Sequence, residues 1–300
     1  MRSLRHLHAL GGLLGWLAYG LSPSYRRRFN GNAALAGLDA VERRAAVADA
    51  GRMLTELPRL WLRPREHGID DPVRWEGAEL IEQLLALGKG LVVLTPHMGS
   101  WEVSGRAYAE RFGTRQPMTC LYRPARQAWL RELEETARAR PGMGIAPANL
   151  AGVRQLLRAL RRGETVGLLP DKVPPEGMGV WVPFFGQPAY TMTLAARLVQ
   201  QTGAAVVIVW TERLPRGAGY VVRALPLPVP LPLPAEGGEA ACALAVNQSM
   251  EAVIRMKPSQ YLWGYHRYKH PRRNPGSTSN PTSNSDANTS TVPGPGGAAP

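Results

Sequence analysis

The sequence predicts an α/β protein: a mostly parallel central sheet flanked by helices, with an N-terminal hydrophobic membrane-anchor helix before it and a disordered C-terminal tail after it. Three observations predict this. Leu91-Val92-Val93-Leu94, Thr165 to Leu169 and Ala205 to Trp210 are short apolar runs of the kind buried on both faces of a parallel sheet. Segments with helical spacing lie between them; Val153, Leu156, Leu157 and Leu160 recur at i, i+3, i+4 and i+7. Both ends of the chain differ in composition from this alternating middle.

At the N-terminus, Leu7 to Leu21 reads LHALGGLLGWLAYGL, with arginines on both sides. About 20 apolar residues make a clean membrane span, so this segment is short for one. A tilted or interfacial anchor fits it better. A signal peptide is the rival, but no small-x-small cleavage site precedes SPSYRRRFN, which favours an uncleaved anchor. Residues 1–38 form this anchor with its basic flank, 39–273 the folded catalytic domain and 274–300 the tail.

Within the domain, residues 40–66 are expected to be helical, ending near the proline of LRPRE. A helix near Gly77 to Leu87 precedes the strand Leu91 to Leu94, and one from Ser100 to Phe112 follows it. Met118 to Tyr122 suits the next strand, and Gly163 ends the helix before Thr165 to Leu169. Thr191 or Thr193 caps a helix to Gln201 that Gly203 stops. Strands at Ala205 to Trp210 and Tyr220 to Ala224 complete the sheet. The prolines of LPLPVPLPLP (225–234) force an extended connection, and a last helix covers about 238–256. Beyond Asn274 the chain is Ser, Thr, Asn, Pro and Gly without apolar periodicity.

The net charge of +13 calls for an anionic partner: nucleic acid, an anionic lipid surface or a phosphorylated substrate. Ten of those charges sit at the two ends, five arginines in 1–38 with no acid, and six basic residues against Asp286 in 252–300. Basic residues beside an apolar N-terminus fit an anionic membrane surface rather than nucleic acid, although an ordinary solvated basic face has the same composition. Cys120 and Cys242 are far apart and outside any CxxC spacing, so neither a disulfide framework nor a zinc site is expected. There is no phosphate loop and no metal cluster, so no cofactor is expected.

His97 and Glu102 form a His-x4-Glu pair. The spacing alone is matched by chance; its setting, beyond Pro96 at a strand end and helix start, is where α/β sheets place reactive groups. Acyl transfer to an alcohol needs a base for the hydroxyl proton, which neutral imidazole supplies near pH 7. Glu102 would fix the imidazole tautomer, and the backbone N–H groups after His97 would face developing negative charge. A structural His beside a surface Glu is the alternative.

The stretch LTPHMGSWE, with YRP at 122–124, LLPD at 168–171, VPFFG at 182–186, the YTMT helix start and QYLWGYHRYKHPR at 260–272, resembles the bacterial lipid A biosynthesis acyltransferases. These are lauroyl and myristoyl transferases of the lysophospholipid acyltransferase superfamily. The matches run in order from about Leu4 to Arg272. The resemblance implies an acyl carrier protein thioester as donor and a Kdo-bearing lipid A precursor as acceptor. It also implies an N-terminal anchor at the cytoplasmic face of the inner membrane.

Carried over by residue, the resemblance makes His97 the general base and Glu102 its acidic partner. Arg123 matches an arginine suited to a substrate phosphate, or else caps a strand end. Asp171 matches an acid that orients that arginine or the acceptor, or is a structural turn residue. Phe184, Phe185 and Gly186 line an acyl groove or belong to the core; Arg267 and Lys269 contact phosphate or form a basic surface. Two positions depart from the pattern: Lys172 stands where the family tends to have glutamine, and Pro175-Glu176-Gly177 continues into Met178 and Gly179 instead of the threonine and arginine of glycerolipid enzymes. Other amphipathic acceptors remain open: a lysophospholipid, a phosphatidylinositol mannoside or an aminolipid. So does a basic membrane-binding protein without catalysis.

Overall fold

A computed structural model describes residues 4–64, 67–125, 127–233 and 236–271. Three helices come first: α1 (Leu4–Leu21), α2 (Pro23–Leu35) and α3 (Ala40–Trp61). Asp39 starts α3 with a reciprocal capping box to Glu42, which satisfies two amides that have no intrahelical partner. The alternating part follows as β1 (Val73–Glu76), α4 (Ala78–Ala86), β2 (Leu91–Leu94), α5 (Trp101–Phe112), β3 (Met118–Tyr122), α6 (Ala128–Arg138), β4 (Met143–Pro147), α7 (Leu150–Arg161) and β5 (Thr165–Leu168). A hairpin, β6 (Gly179–Phe184) and β7 (Gln187–Met192), precedes α8 (Leu194–Thr202), β8 (Ala205–Arg213), β9 (Tyr220–Leu225) and α9 (Gly238–Met256).

Seven strands make one sheet in the order β1, β9, β8, β2, β5, β3, β4. The five from β8 to β4 are parallel, as expected. At one edge the direction reverses: β9 is antiparallel to β8, because the short connection 214–219 allows a turn but no crossover, and β1 follows β9 in parallel. Alternate residues face two cores. Val92, Leu94, Val166, Leu168, Ile208 and Trp210 pack on the side of α7, α8 and α9; Leu91, Val93, Val207 and Val209 pack on the side of α4 and α5.

The N-terminal segment forms a helix, as expected, and one of its faces is open to solvent. No helix among the described residues is long and apolar enough to cross a membrane. Instead α1 lies against α3 on a face of small residues: Gly11 and Gly15 meet Gly51, where a Cβ would stand 1.9 Å from the Gly11 carbonyl oxygen. Beyond the buried Leu4, the side chains of Leu10, Leu13, Leu14, Leu17 and Leu21 point the other way, with Leu13 67% and Leu21 74% exposed. His8, on the packed face, is buried against Glu56. The tail expected at 274–300 lies outside the described residues.

Candidate active site

The C-terminal ends of β2, β5 and β8 converge on one turn, Thr95 to Ser100. β5 delivers Asp171 beside it, and the carboxylate takes two bonds from His97: its Oδ1 lies 2.6 Å from the ring Nδ1, and its Oδ2 accepts the His97 backbone N–H at 2.9 Å. Both side chains are buried. The same turn is tied down by the C-terminal motif, since the Leu262 N–H donates to the His97 carbonyl at 3.0 Å and the Gly99 N–H to the Gln260 carbonyl at 2.9 Å. Gly99 has φ +57°, and any Cβ there would sit 1.8 Å from the Thr211 carbonyl oxygen, so only glycine lets the turn dock on β8.

These ties overturn one expectation. The N–H groups of residues 97–100 are all bonded within the protein, to Asp171, Pro96, Gln260 and Thr211 in turn, and none is free to face a developing charge. The expected partner of His97 also differs. Glu102, in the first turn of α5, accepts the Arg138 guanidinium at 2.6 Å, while Arg138 lies over the Trp61 ring. The carboxylate hydrogen-bonded to the imidazole is that of Asp171.

Burial pushes the His97 imidazole below its ordinary 6.5; the Asp171 charge acts against that, and the nearby Lys172 ammonium adds to the lowering. Burial alone would raise the Asp171 carboxyl, but the charge and hydrogen bonds of His97 outweigh it and hold Asp171 low. The pair therefore rests at neutral pH as a carboxylate accepting Nδ1–H from a neutral imidazole. That leaves the Nε2 lone pair without a protein hydrogen bond among the described residues, in the state a general base requires.

His97 lines a cavity of about 460 Å³ that runs between α5 and the sheet. Trp101 stands beside the imidazole with ring centroids 5.4 Å apart. Arg123, Arg138, Lys172 and Lys269 share the lining with apolar residues such as Val93, Met118 and Val209. Arg123 and Lys172 are solvent-exposed. Lys269 stands over the Tyr265 ring at 5.2 Å.

The remaining predicted residues serve elsewhere. Phe184 and Phe185 are core residues at the β6–β7 turn, packed with Tyr261 and Trp263, and do not line the cavity. Phe185 (φ +46°) and Gly186 (φ +76°) form the turn itself, where positive φ at both central residues suits a two-residue hairpin. Arg267 is 2% exposed; it donates to the Tyr190 carbonyl at 2.8 Å and to Thr191 Oγ1 at 2.6 Å, and lies over the Phe184 ring. It binds β7 to the core instead of facing a phosphate. Sequence reasoning missed Arg138, although the charges of α6 at i, i+4 spacing (Glu134, Arg138) carried a helical signal.

Among the described residues, no group of three or more His, Cys, Asp or Glu side chains is placed to hold a metal ion. Comparison with known proteins follows the same span as the fold. The sequence model of the family described as "Bacterial lipid A biosynthesis acyltransferase" matches residues 9–270. The chain is 28% identical to the lipid A biosynthesis lauroyltransferase of Escherichia coli (strain K12) over 65% of its own length and 62% of that protein's, so it matches less than two thirds of that relative. It is also 28% identical to the lipid A biosynthesis palmitoleoyltransferase of the same organism, over 77% of this chain and 73% of that one. A phosphatidylinositol mannoside acyltransferase of Mycobacterium tuberculosis (strain CDC 1551 / Oshkosh) is 29% identical over 49% of this chain and 46% of its own.

Proposed function

The chain belongs to the bacterial lipid A biosynthesis acyltransferase family, and from that premise we propose that it moves a fatty acyl group from an acyl carrier protein thioester onto a hydroxyl of a Kdo-bearing lipid A precursor. The observation that carries the reading is the 2.6 Å contact of His97 Nδ1, on the cavity wall, with the buried Asp171 behind it. In this mechanism Nε2 takes the proton of the acceptor hydroxyl as its oxygen attacks the thioester carbon. The tetrahedral intermediate then collapses, the C–S bond breaks, and the leaving thiolate takes the proton back from Nε2–H. Asp171 holds the tautomer and stabilises the imidazolium. With the turn amides occupied, Arg123 and Lys172 are the cavity groups suited to the developing negative charge or to a substrate phosphate. Glu102 acts through Arg138 on the shape of the cavity wall.

The outward leucines of α1, with Trp16 beside them and Arg26 and Arg27 exposed on α2, support peripheral seating on an anionic membrane surface, the acceptor's own phase. Replacing Leu13 and Leu17 with Asp is expected to abolish co-sedimentation with anionic vesicles; unchanged co-sedimentation would remove this seating.

Membranes carrying the protein, given a labelled acyl carrier protein thioester, are expected to label the Kdo-bearing precursor. The local match to a mannoside acyltransferase favours one second acceptor, phosphatidylinositol mannoside. Label entering only that acceptor, or only lysophosphatidic acid, would reject the lipid A assignment while keeping acyl transfer.

A further inference from the structure

Two glycines line the cavity, Gly105 on its helix wall (α5) and Gly167 on its sheet wall (β5), and mark one level of it, the waist. A Cβ on Gly167 would stand 3.0 Å from Cys120 Sγ and 3.2 Å from Met118 Sδ; one on Gly105 would stand 3.2 Å from Met143 Sδ. All three sulfur-bearing side chains line the same cavity. Neither glycine has the positive φ that would demand it for the backbone. Their missing side chains therefore serve space rather than turn geometry.

Three residues further along α5, away from His97, the cavity is lined by Tyr108, a fully buried residue whose hydroxyl is 2.7 Å from Thr165 Oγ1 and donates to the Gln116 carbonyl at 3.2 Å. Two elements measure the distance from the waist to Tyr108 independently. Gly105 precedes Tyr108 by three helical residues, about 4.5 Å of rise. Gly167 follows Thr165 by two strand residues, about 7 Å. α5 and β5 run in opposite directions here, so both place the waist at a similar height over Tyr108.

The geometry points to Gly105 and Gly167 as the residues that set acyl-chain length: they leave open the waist through which the terminal methylenes pass toward Tyr108. This rests on the acyl-transfer reading above and names the part of its substrate that the site measures. Filling the waist excludes the segment below it, and each excluded methylene costs about fourfold in transition-state or ground-state binding.

The test compares octanoyl, lauroyl and myristoyl thioesters with the wild type, Gly105→Leu, Gly105→Ala and Met143→Ala. The ratio of kcat/KM for myristoyl to octanoyl donor is expected to fall about tenfold or more in Gly105→Leu, to fall less in Gly105→Ala, and to rise in Met143→Ala. An unchanged ratio in folded Gly105→Ala and Met143→Ala overturns the gauge, even if Gly105→Leu fails to fold. Calorimetric binding of the free fatty acids reads the cavity without chemistry. A wild type that binds fatty acids with a length optimum shifted by these substitutions, yet transfers no acyl group, keeps the gauge and rejects acyl transfer.

Discussion

Asp171 holds His97 twice, through the ring Nδ1 at 2.6 Å and the backbone N–H at 2.9 Å, so one carboxylate fixes both the tautomer and the position of the imidazole. Glu102, which sequence spacing makes the partner, is occupied by Arg138. Asp171→Asn should lower kcat about 10²- to 10⁴-fold with the fold retained. Glu102→Gln should cost much less in kcat, because it leaves the His97 pair intact. Steady-state kinetics of the two variants decide the matter: a larger kcat loss at Glu102 would return the orienting role to it.

The acid limb of activity should lie low. Burial and Lys172 hold the His97 imidazole below 6.5, and the base works only when neutral, so kcat/KM should rise with pH to a plateau through a midpoint under 6.5. The groups acting on His97 are Asp171, Lys172 and Glu102. Lys172→Gln removes a positive neighbour and should move the midpoint up, while Asp171→Asn removes a negative one and should move it down. A pH profile with a downward shift in Lys172→Gln would contradict this account of the pair.

A second buried network joins the N-terminal helix to the site. Glu56 of α3 accepts His8 at 2.7 Å and Arg213 through both oxygens at 2.7 and 2.8 Å, while Arg213 also donates to the Gly99 carbonyl at 3.1 Å. Burial alone would raise the Glu56 carboxyl, yet Arg213 and His8 outweigh it and hold it at about 2. A depressed carboxyl stabilises the fold above its ordinary 4.5, and that contribution should be lost as pH falls from there toward about 2. Glu56→Gln removes the carboxylate that Arg213 hydrogen-bonds and leaves the buried cation only Asp49, 3.8 Å away, and should cost about 3–5 kcal/mol. Urea unfolding across that pH range measures both; a variant as stable as the wild type at pH 7 would contradict the network.

Arg267 should behave as a structural cation. Arg267→Ala takes the guanidinium donors from the Tyr190 carbonyl and Asn247 Oδ1, removes the cation over Phe184, and should lower stability by about 3 kcal/mol. Arg267→Lys should not restore it, because a single ammonium cannot reproduce the forked donors. A thermal melt near the wild type, together with a raised KM for the thioester, would assign Arg267 to substrate phosphate instead.

Much of this was legible in the sequence because it is local. The runs at 91–94, 165–169 and 205–210 are strands since their side chains must leave water on both faces, and Gly203 ends α8 in a left-handed conformation as its position implies. His97 was legible by its place at a strand end. The segment 128–147 is harder to read locally: α6 carries charge at five of its eleven positions, and β4, at the edge of the sheet, is five residues long and holds Gly144 and Pro147, both poor strand formers. Which acid reaches His97 was beyond local reasoning too, because Asp171 is 74 residues away in sequence and becomes adjacent only when β2 and β5 pair in register. The choice between core and site for Phe184, Phe185 and Arg267 likewise depended on where the β6–β7 hairpin packs. Sequence by itself determined the inner strands, most of the helices and the chemistry on offer; tertiary structure decided the remaining strands, which carboxylate meets the imidazole and which cations face the cavity, since each depends on contacts between elements far apart in the chain.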